Sequence, residues 1–503
     1  MGKYRRQEGS LALRLRFLLD TNILIPLQDS MVVLQPSLTN FVRLCNVHGH
    51  QLLYHPASVE DIQRDADQDR RRRTLQRLRQ YSELQAGPPC PWNTAATSVN
   101  DICDNEILYS LECNAAHALV TEDQGLHRRA RERGLGSRVY FIQTANDWLC
   151  RLHEPANVHL PNIEDVELHT LTPQLAEAFF DSIRVGYAGF DDWFRQKAMD
   201  GRRAWVYRDA PGPMISAICI YAVQVNERIT DNGETLRGQS LKLCTFKVGE
   251  TVRGRKLGEL FLRAAFQYAT NHHCESIFLH ANNQRHPLLI TLIEDYGFEY
   301  AGDYRGDSVY VKAHPAEPPA ILMNAFEYVR RYFPHYLSGD DVQKFLVPIV
   351  PAFHDILFPD YQEPGHALPD DHPRRHVSNA IKLAYLCHAP SRRPRSGDIV
   401  LFYRSHDLQA ITSIGIVERY KWSESAEEIA EIVSRRTVYS DEQIEEMAET
   451  ETKVMLFRLI CHFDSPLGYT ALRRRLRVIQ GPIQSITKIT NESFSRIIRA
   501  TER

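Results

Sequence analysis

The most specific stretch of the sequence is VGETVRGRKLGE, which occupies positions 248–259. It lies between an apolar run that predicts a strand, Leu241–Val248, and an amphipathic run that predicts a helix, Glu259–Thr270. Backbone N–H groups at the start of such a helix bind pyrophosphate, and Gly254 and Gly258 let the backbone approach phosphate oxygens closely. The stretch therefore predicts a phosphate-binding loop between a strand and a helix.

This loop resembles the acetyl-CoA loop of the GNAT acetyltransferases, whose pattern is R/Q-x-x-G-x-G/A. Arg253 and Gly258 fall on the two ends of the pattern, and Lys256 stands where its first glycine is usual. The resemblance covers the central third of the chain. It implies an α+β fold around a mixed sheet, acetyl-CoA as cofactor, and acetyl transfer to an amine. The residues that it implies as cofactor-binding are Phe246, Val248, Arg253, Gly254, Arg255, Lys256, Leu257, Gly258 and Asn283.

The proton-transfer groups of this transferase are less clearly marked. GNAT members often carry a tyrosine four residues before a Gly-Phe pair; here the pair is Gly297-Phe298 and that position holds Ile293. Tyr296 is the nearest phenol and is the predicted catalytic acid. The predicted central strand carries no carboxylate, so an amine would lose its proton to water or to a more distant group. His280 and His286 are further candidates, with a purely structural histidine as the alternative.

A second set of chemistry-bearing residues begins at FLLDTNILI, positions 17–25. Asp20 ends an apolar strand, and open α/β sheets bind ligands at the ends of their strands. Asp61, Asp104 and Asp123 occupy similar edges of predicted elements. Converging carboxylates repel one another unless a divalent cation neutralises them, and Mg²⁺ and Mn²⁺ prefer oxygen ligands. A water bound to such an ion can attack a phosphodiester.

The order of these acids resembles that of the PIN-domain nucleases. LDTN ends the first strand, an acidic element follows the second, D-x-x-I-L lies on a helix, and T-x-D follows the next strand. The resemblance implies a parallel-sheet α/β sandwich with ribonuclease activity and Thr121 hydrogen-bonded within the site. The implied catalytic acids are Asp20, Asp61, Asp104 and Asp123, and the implied ligands of Mg²⁺ or Mn²⁺ are Asp20, Asp104 and Asp123.

Some assignments in this acidic region stay open. Glu60 competes with Asp61 for the second position, and Asp101 can assist Asp104. Because aspartate is favoured at helix N-caps, the alternative is a set of caps and surface acids. A PIN fold without activity is a further alternative.

The last third of the chain is rich in predicted strands and contains SGDIVLFYRS at positions 396–405. A strand entered through a Gly-Asp turn resembles the PUA-like superfamily, closest to ASCH and EVE domains, which are small β-barrels associated with RNA or modified bases. Bases stack on aromatic and guanidinium planes, and arginines hold the phosphate backbone. The predicted RNA contacts are Tyr403, Arg404, Ser405, Arg473 and Arg475. The alternative is a structural barrel with an ordinary basic face.

Bulk properties agree with a soluble α/β multidomain protein. The 503 residues suggest about three domains, and a net charge of -3 argues against a uniformly basic surface. Ten scattered cysteines without CxxC indicate reduced thiols. No signal peptide or membrane span is visible, so we expect a cytoplasmic protein. The predicted domains are 1–153, PIN-like; 154–314, GNAT; 315–378, a helical connector and loop; and 379–503, PUA-like.

The sequence is compatible with two functions. The first is an RNA-directed enzyme that cleaves RNA at the acids and acetylates an unidentified amine. Its setting would be a stress response or a toxin–antitoxin pair, with an antitoxin-like or homo-oligomeric partner. The second is a regulatory acetyltransferase of proteins or small molecules, in which the PIN-like and PUA-like parts are only binding scaffolds.

Overall fold

The structure is a computed structural model, and its described residues pack as two compact units. The first unit comprises Met1–Val158, Leu386–His388 and Trp422–Val454; the second comprises His159–Tyr385, Ala389–Lys421 and Met455–Arg503. The residues that the structure describes are 13–28, 35–64, 67–78, 81–85, 87, 90–95, 98–154, 162–208, 214–249, 252, 256–361, 376–377, 381–434, 436 and 439–501.

The first unit is built on a five-stranded parallel sheet with the strand order β3-β2-β1-β4-β5. Its strands are β1 (Arg16–Leu19), β2 (Gln51–Tyr54), β3 (Ser82–Glu83), β4 (Ala118–Val120) and β5 (Val139–Tyr140). Its helices up to residue 153 are α1 (Thr21–Gln28), α2 (Pro36–Val47), α3 (Pro56–Gln63), α4 (Gln68–Leu78), α5 (Val99–Glu112), α6 (Gln124–Glu132) and α7 (Ile142–His153).

The centre of this sheet is apolar on both faces, as a parallel sheet covered by helices requires. Phe17, Leu18 and Leu19 of β1 are almost completely buried, as is all of β4. The chain order reverses between β1 and β4, so their carboxyl ends flank the crevice where open α/β sheets bind ligands. Apolar runs over residues 15–19, 52–55, 118–120 and 139–142 predict four strands here, and all four are confirmed with ends that differ by at most two residues.

Residues from 159 onward form the remaining elements, most of them in the second unit. The strands are β6 (Asn162–Glu167), β7 (Arg203–Tyr207), β8 (Ala217–Val225), β9 (Gln239–Val248), β10 (Ser276–Ala281), β11 (Glu299–Tyr304), β12 (Asp307–Ala313), β13 (Lys344–Ile349), β14 (His376–Val377), β15 (Lys382–Cys387), β16 (Ile399–Arg404), β17 (Ala410–Ser423), β18 (Thr452–Gly468) and β19 (Thr487–Ile489). The helices are α8 (Asp181–Gly186), α9 (Phe190–Met199), α10 (Leu257–Asn271), α11 (Pro287–Asp295), α12 (Ala325–Tyr332), α13 (Pro351–Leu357), α14 (Ala426–Val433), α15 (Asp441–Ala448) and α16 (Asn491–Thr501).

The second unit contains an eight-stranded mixed sheet with the order β11-β12-β10-β9-β8-β7-β6-β14. β9 and β10 pair in parallel, and their described neighbours pair antiparallel. The helix predicted at Glu259–Thr270 is confirmed as α10. The sequence pattern also predicts a helix over residues 174–184, which is confirmed only at its end, because 3₁₀ turns at Leu168–Gln174 and Ala178–Phe180 precede the short α8. Pro173, which cannot donate a backbone hydrogen bond, lies inside the first of these turns.

A six-stranded sheet with the order β15-β18-β17-β16-β13-β19 completes the second unit. Apolar runs over residues 398–403, 411–417 and 453–462 predict strands, and these are confirmed as β16, β17 and β18. The prediction of a helical connector is incomplete, because KFLVPI forms β13 and pairs in parallel with β16. This strand is buried along its whole length except at Pro348. Closure of the sheet into a barrel stays a prediction.

The helices α14 and α15 leave this sheet between β17 and β18 and belong to the first unit. There the hydroxyl groups of Tyr140 and Ser434 lie 2.6 Å apart, and the guanidinium of Arg138 lies 3.0 Å from Glu431. The segment Trp422–Val454, which is inserted in the last third of the sequence, thus contributes to the packing of the first unit. None of the helices in the described ranges combines the length and apolar character that crossing a membrane requires.

Candidate functional sites

The first candidate site lies where β1 and β4 end in the first unit. Asp20 follows β1 and is only 6% exposed. Its Oδ2 accepts hydrogen bonds from the Thr121 hydroxyl at 2.6 Å and the Asn22 amide at 2.7 Å, and its Oδ1 accepts one from the backbone N–H of Thr21. Burial raises the pKa of Asp20 against these hydrogen bonds, and the charge of Asp123 raises it further. The carboxylate is thus fixed at the crevice between the two strands.

Asp104 and Asp123 approach the same crevice from α5 and α6. Asp123 is the N-cap of α6, and its Oδ1 accepts from the N–H of Leu126 at 2.9 Å. The pKa of Asp104 is raised to about 6 in total. Burial makes the largest contribution to this rise, the charge of Arg129 opposes it, and the charges of Asp123 and Asp20 add to it. The three predicted ligands therefore act on one another electrostatically, as carboxylates that share a cation do.

The fourth predicted acid is placed differently. Asp61 lies on α3 and forms an ion pair with Arg64 at 3.1 Å, and both side chains are 37% exposed. Its charge acts on Cys103, the residue before Asp104. The charges that act on Asp104 come from Arg129, Asp123, Asp20 and Asp101. Asp101 therefore influences the pKa of Asp104 directly, as the prediction that it assists Asp104 requires. Whether Asp61 or Glu60 takes part stays open.

A histidine cluster near the start of β1 and β2 has no signal in the sequence. Among the described residues, His48, His153 and Asp441 place one ligand atom each within 4.8 Å of one another. The N–H of Leu15 donates to Nδ1 of His50 at 3.1 Å, so the ring proton of His50 lies on Nε2, which is 2.7 Å from Nε2 of His153. Nδ1 of His153 is in turn 3.2 Å from the Asp441 carboxylate.

These contacts form a chain of hydrogen bonds from His50 through both ring nitrogens of His153 to Asp441. Burial lowers the pKa of His50 to about 3 and also lowers that of His153, so both rings are neutral at pH 7. The ring of His48 stacks on His153 with centroids 3.8 Å apart, whereas two imidazoles that share an ion direct nitrogens at it. We interpret the cluster as a structural tie between α15 and α7 within the first unit.

The second candidate site lies where β9 separates from β10 in the second unit. Pairing between the two strands runs from Ser240 and Ser276 to Leu243 and Leu279 and ends there among the described residues. Beyond that point β9 continues to Val248 and pairs with β8 alone. The register between β8 and β9 shifts at this position and skips Cys244, and such bulges bend a strand away from its neighbour. Among the described residues, the half-buried end of β9 thus has no strand paired on its β10 side, and we call this gap, which lies next to α10, the cleft.

The predicted phosphate loop connects this end of β9 to α10. Arg253, Gly254 and Arg255 lie outside the described residues. Lys256 is the N-cap of α10 with φ of 55°, and its Nζ is 3.5 Å from the carbonyl oxygen of Lys382. Gly258 lies in the first turn of α10, where an added Cβ would come within 2.6 Å of Cδ2 of Leu292. A side chain at position 258 would therefore force the end of the Leu292 side chain on α11 to move.

The other residues predicted to bind the cofactor surround this cleft or support it. Phe246 and Val248 are half-buried on β9, and the Phe246 ring meets Phe261 edge-on. Leu257 is almost completely buried in the core. Asn283 donates to the Ser308 hydroxyl at 3.1 Å and accepts from the Tyr310 hydroxyl at 3.0 Å, so its amide is held by β12.

The prediction of Tyr296 as catalytic acid is corrected by its position. Its side chain is completely buried, with the Lys382 ammonium and the Arg458 guanidinium each 5.2 Å from the ring centroid. A phenol enclosed in this way does not reach a thiolate in a cleft. His280, at the end of β10, is half-buried, and burial together with the charge of Lys242 lowers its pKa to about 4. It is therefore neutral at pH 7 and a weak base.

Two of the predicted RNA contacts are also corrected. Tyr403 is 4% exposed and Arg404 is 9% exposed, because both faces of β16 are buried. The guanidinium of Arg404 is held by Asp407 at 2.6 Å, by Asp355, and by Nδ1 of His354 at 3.1 Å. Ser405 donates to the carbonyl oxygen of Ile349. Neither Tyr403 nor Arg404 can stack on a base or bind a phosphate at the surface.

The remaining predicted RNA contacts lie on the surface. Arg473 and Arg475 are exposed on the π-helical turn Ala471–Arg475, with Arg474 exposed between them. Three adjacent guanidinium groups in solvent form a local positive patch in a chain whose net charge is -3. Phosphate groups are the natural ligand class of such a patch.

Comparisons with known proteins find similarity in structure but not in sequence. No model of a protein family matches it, and no curated protein sequence matches it. Similar solved structures include an ASCH protein of Zymomonas mobilis, with a TM-score of 0.24 and 12% identity over 31% of this chain and 94% of that one. They also include the PaiA N-acetyltransferase of Thermoplasma acidophilum in complex with coenzyme A, at 0.24 and 14% over 30% and 99%, and a GNAT-family acetyltransferase of Staphylococcus aureus Mu50, at 0.24 and 14% over 30% and 98%.

Proposed function

We propose that the second unit is an acetyl-CoA-dependent N-acetyltransferase. The observation that carries this proposal is the separation of β9 from β10 next to the first turn of α10. A ligand with amide groups in an extended chain can pair with the free edge of β9 as an added strand. The pantetheine arm of coenzyme A has that chemistry, and its diphosphate fits the start of a helix that follows a loop with two arginines.

The residues of this unit have distinct parts in the proposed reaction. Acetyl-CoA supplies an activated thioester. The backbone beyond Leu243 on β9 holds and orients its arm, and Phe246 and Val248 flank the cleft. Because Tyr296 is buried and His280 is neutral, the structure offers no strong general base among these candidates, and the acceptor amine enters unprotonated or loses its proton to water. Catalysis rests on positioning.

The test compares two donors that differ by the nucleotide diphosphate. Wild-type protein should bind acetyl-CoA more tightly than S-acetylpantetheine. The double change Arg253→Ala, Arg255→Ala should remove about 100- to 10,000-fold of the affinity for acetyl-CoA, because charge-assisted hydrogen bonds contribute roughly 1.5–3 kcal/mol each. Its affinity for S-acetylpantetheine should stay unchanged. Arg237→Ala, at an exposed arginine of the same unit, is the control. Equal loss for both donors would contradict the loop assignment.

For the first unit we propose a metal-dependent ribonuclease site. The specific observation is the mutual electrostatic effect of Asp20, Asp104 and Asp123 at the strand-order reversal of a parallel sheet. Oxygen donors alone make up this set, which suits Mg²⁺ or Mn²⁺. Such an ion supplies an activated water for attack on a phosphodiester. Thr121 and Asn22 hold the Asp20 carboxylate in place for it.

RNA is the proposed substrate of this site, and the exposed patch of Arg473 and Arg475 is proposed to contact RNA phosphates. The test for cleavage uses Asp20→Asn, Asp123→Asn, because asparagine keeps the shape of both side chains and also serves as an N-cap. Cleavage in Mn²⁺ should fall by about a thousandfold, since even residues that only orient metal ligands cost 10- to 100-fold.

Acetyl-CoA affinity, measured by calorimetry on the same double variant, should stay at the wild-type value. Glu112→Gln, at an exposed acid on α5, is the matched control for a lost negative charge. Undiminished cleavage by the double variant would remove the nuclease assignment and leave the acidic cluster as a set of caps.

A further inference from the structure

Arg129 connects α6 to two acids on α5 inside the first candidate site. Its Nη2 is 2.6 Å from Oδ1 of Asp101 and its Nη1 is 3.3 Å from Oδ2 of Asp104. The Arg129 side chain is 32% exposed and each aspartate side chain is 24% exposed. One guanidinium thus neutralises two carboxylates at the edge of the site, with one face open to solvent.

The same arginine competes with a metal ion for Asp104. Its charge lowers the pKa of Asp104, whereas the charges of Asp123 and Asp20 raise it. A divalent cation held by these three aspartates would take over the charge that Arg129 now balances, and it would repel the guanidinium. Asp101 was not predicted as a ligand and can keep its bond to Nη2, so Arg129 would turn about this contact instead of leaving the site.

We propose that Arg129 is a phosphate-binding residue, which Asp101 and Asp104 hold until a divalent cation displaces it toward the RNA backbone. The inference rests on the proposed ribonuclease site. A planar guanidinium with two free N–H groups matches two phosphate oxygens in a fork geometry, which a lysine ammonium does not. Because the phosphate at the metal must lie beside Asp104, the freed Nη1 is already within the length of one side chain of it.

The inference predicts opposite changes from one substitution. Arg129→Met removes a competing cation, so Mn²⁺ should bind about 5- to 10-fold more tightly by calorimetry without RNA. The experiment is made at pH 8, where Asp104 is ionised. The same variant should bind a short single-stranded RNA in Ca²⁺ about 10-fold more weakly, because a charge-assisted bond to phosphate is lost. Arg129→Lys should keep the wild-type affinity for Mn²⁺ and still bind the RNA more weakly.

Arg128→Met is the matched control, since Arg128 is exposed on the same helix, and it should change neither affinity. If Arg129 only braces α5 against α6, its loss would lower the affinity for Mn²⁺ and for RNA together. That result, or two unchanged affinities, would overturn the inference. Wild-type protein that binds Mn²⁺ and RNA but does not cleave RNA would refute the proposed activity alone, because both readouts here are binding constants.

Discussion

The two candidate sites are made from different parts of the polypeptide. In the first unit the site consists of side chains: Asp20, Asp104 and Asp123 meet at the ends of elements that a parallel sheet brings together. In the second unit it consists mainly of backbone, where a bulge at Cys244 turns β9 away from β10. A side-chain site is sensitive to charge and pH, whereas a backbone site is sensitive to added volume. This contrast can be tested directly.

The largest effect is expected from adding one methyl group at Gly258. An alanine Cβ would lie 2.6 Å from Cδ2 of Leu292, and overpacking of this kind costs about 1–3 kcal/mol. Gly258→Ala should therefore lower the free energy of unfolding of the second unit and weaken acetyl-CoA binding. On a Leu292→Ala background the cost should be less than half as large, which a double-mutant cycle measures.

Gly468→Ala is the control for this comparison, because no atom lies within 4 Å of its added Cβ and its φ is not in the left-handed region. It should leave stability and binding unchanged. Equal costs for Gly258→Ala on both backgrounds would show that Leu292 is not the cause. That result would overturn the packing explanation, because Gly258 has no left-handed φ that a side chain would strain.

The side-chain site should respond to pH where the backbone site does not. Burial raises the pKa of Asp104 to about 6, and an ion binds only the ionised carboxylate. The affinity for Mn²⁺ should therefore fall by about tenfold between pH 7 and pH 5. Acetyl-CoA affinity should change much less over the same range. A flat Mn²⁺ profile by calorimetry would mean that Asp104 is not a ligand.

The sequence predicts the elements of the fold better than it predicts the contacts between them. Asp20 and Asp123 were identified because each comes within three residues of the end of an apolar strand, and the strands are where the pattern places them. Arg129 was missed because its partners lie on another helix, 28 residues earlier for Asp101. The bond between His153 and Asp441 spans 288 residues and has no local signal at all.

The residues whose roles were predicted wrongly also show that the local sequence does not reveal contacts between distant segments. Tyr403 and Arg404 end an apolar strand just before a polar stretch of the sequence, which favours a surface position. In the structure both are buried, and the guanidinium of Arg404 is neutralised by Asp407, three residues away, and by Asp355 from another segment. Buried charge is stable only when such partners are present, and the local sequence does not reveal Asp355. Tyr296 fails for a related reason, because its cover comes from Lys382 and Arg458.

The smallest expected effect concerns the stability cost of the side-chain site. A carboxyl group with a raised pKa in the folded state binds a proton more readily there than in the unfolded chain, so its charged form destabilises the fold above that pKa. For Asp104 the penalty is complete above about pH 6 and fades as pH falls from there to the ordinary pKa of 3.8. Asp104→Asn removes the charge, so it should raise the free energy of unfolding at pH 8 by about 1 kcal/mol, a few degrees in midpoint.

The same variant at pH 5 should gain only about half as much free energy of unfolding, because Asp104 is then mostly protonated in the folded protein but still ionised in the unfolded chain. Glu112→Gln should shift neither midpoint, since Glu112 is exposed on the same helix. A lower midpoint for Asp104→Asn at pH 8 would mean that its ion pair with Arg129 outweighs burial and repulsion from Asp20 and Asp123. The three acids would then be a stabilising cluster, whereas a site that gives up stability to hold converging charges is what metal binding requires.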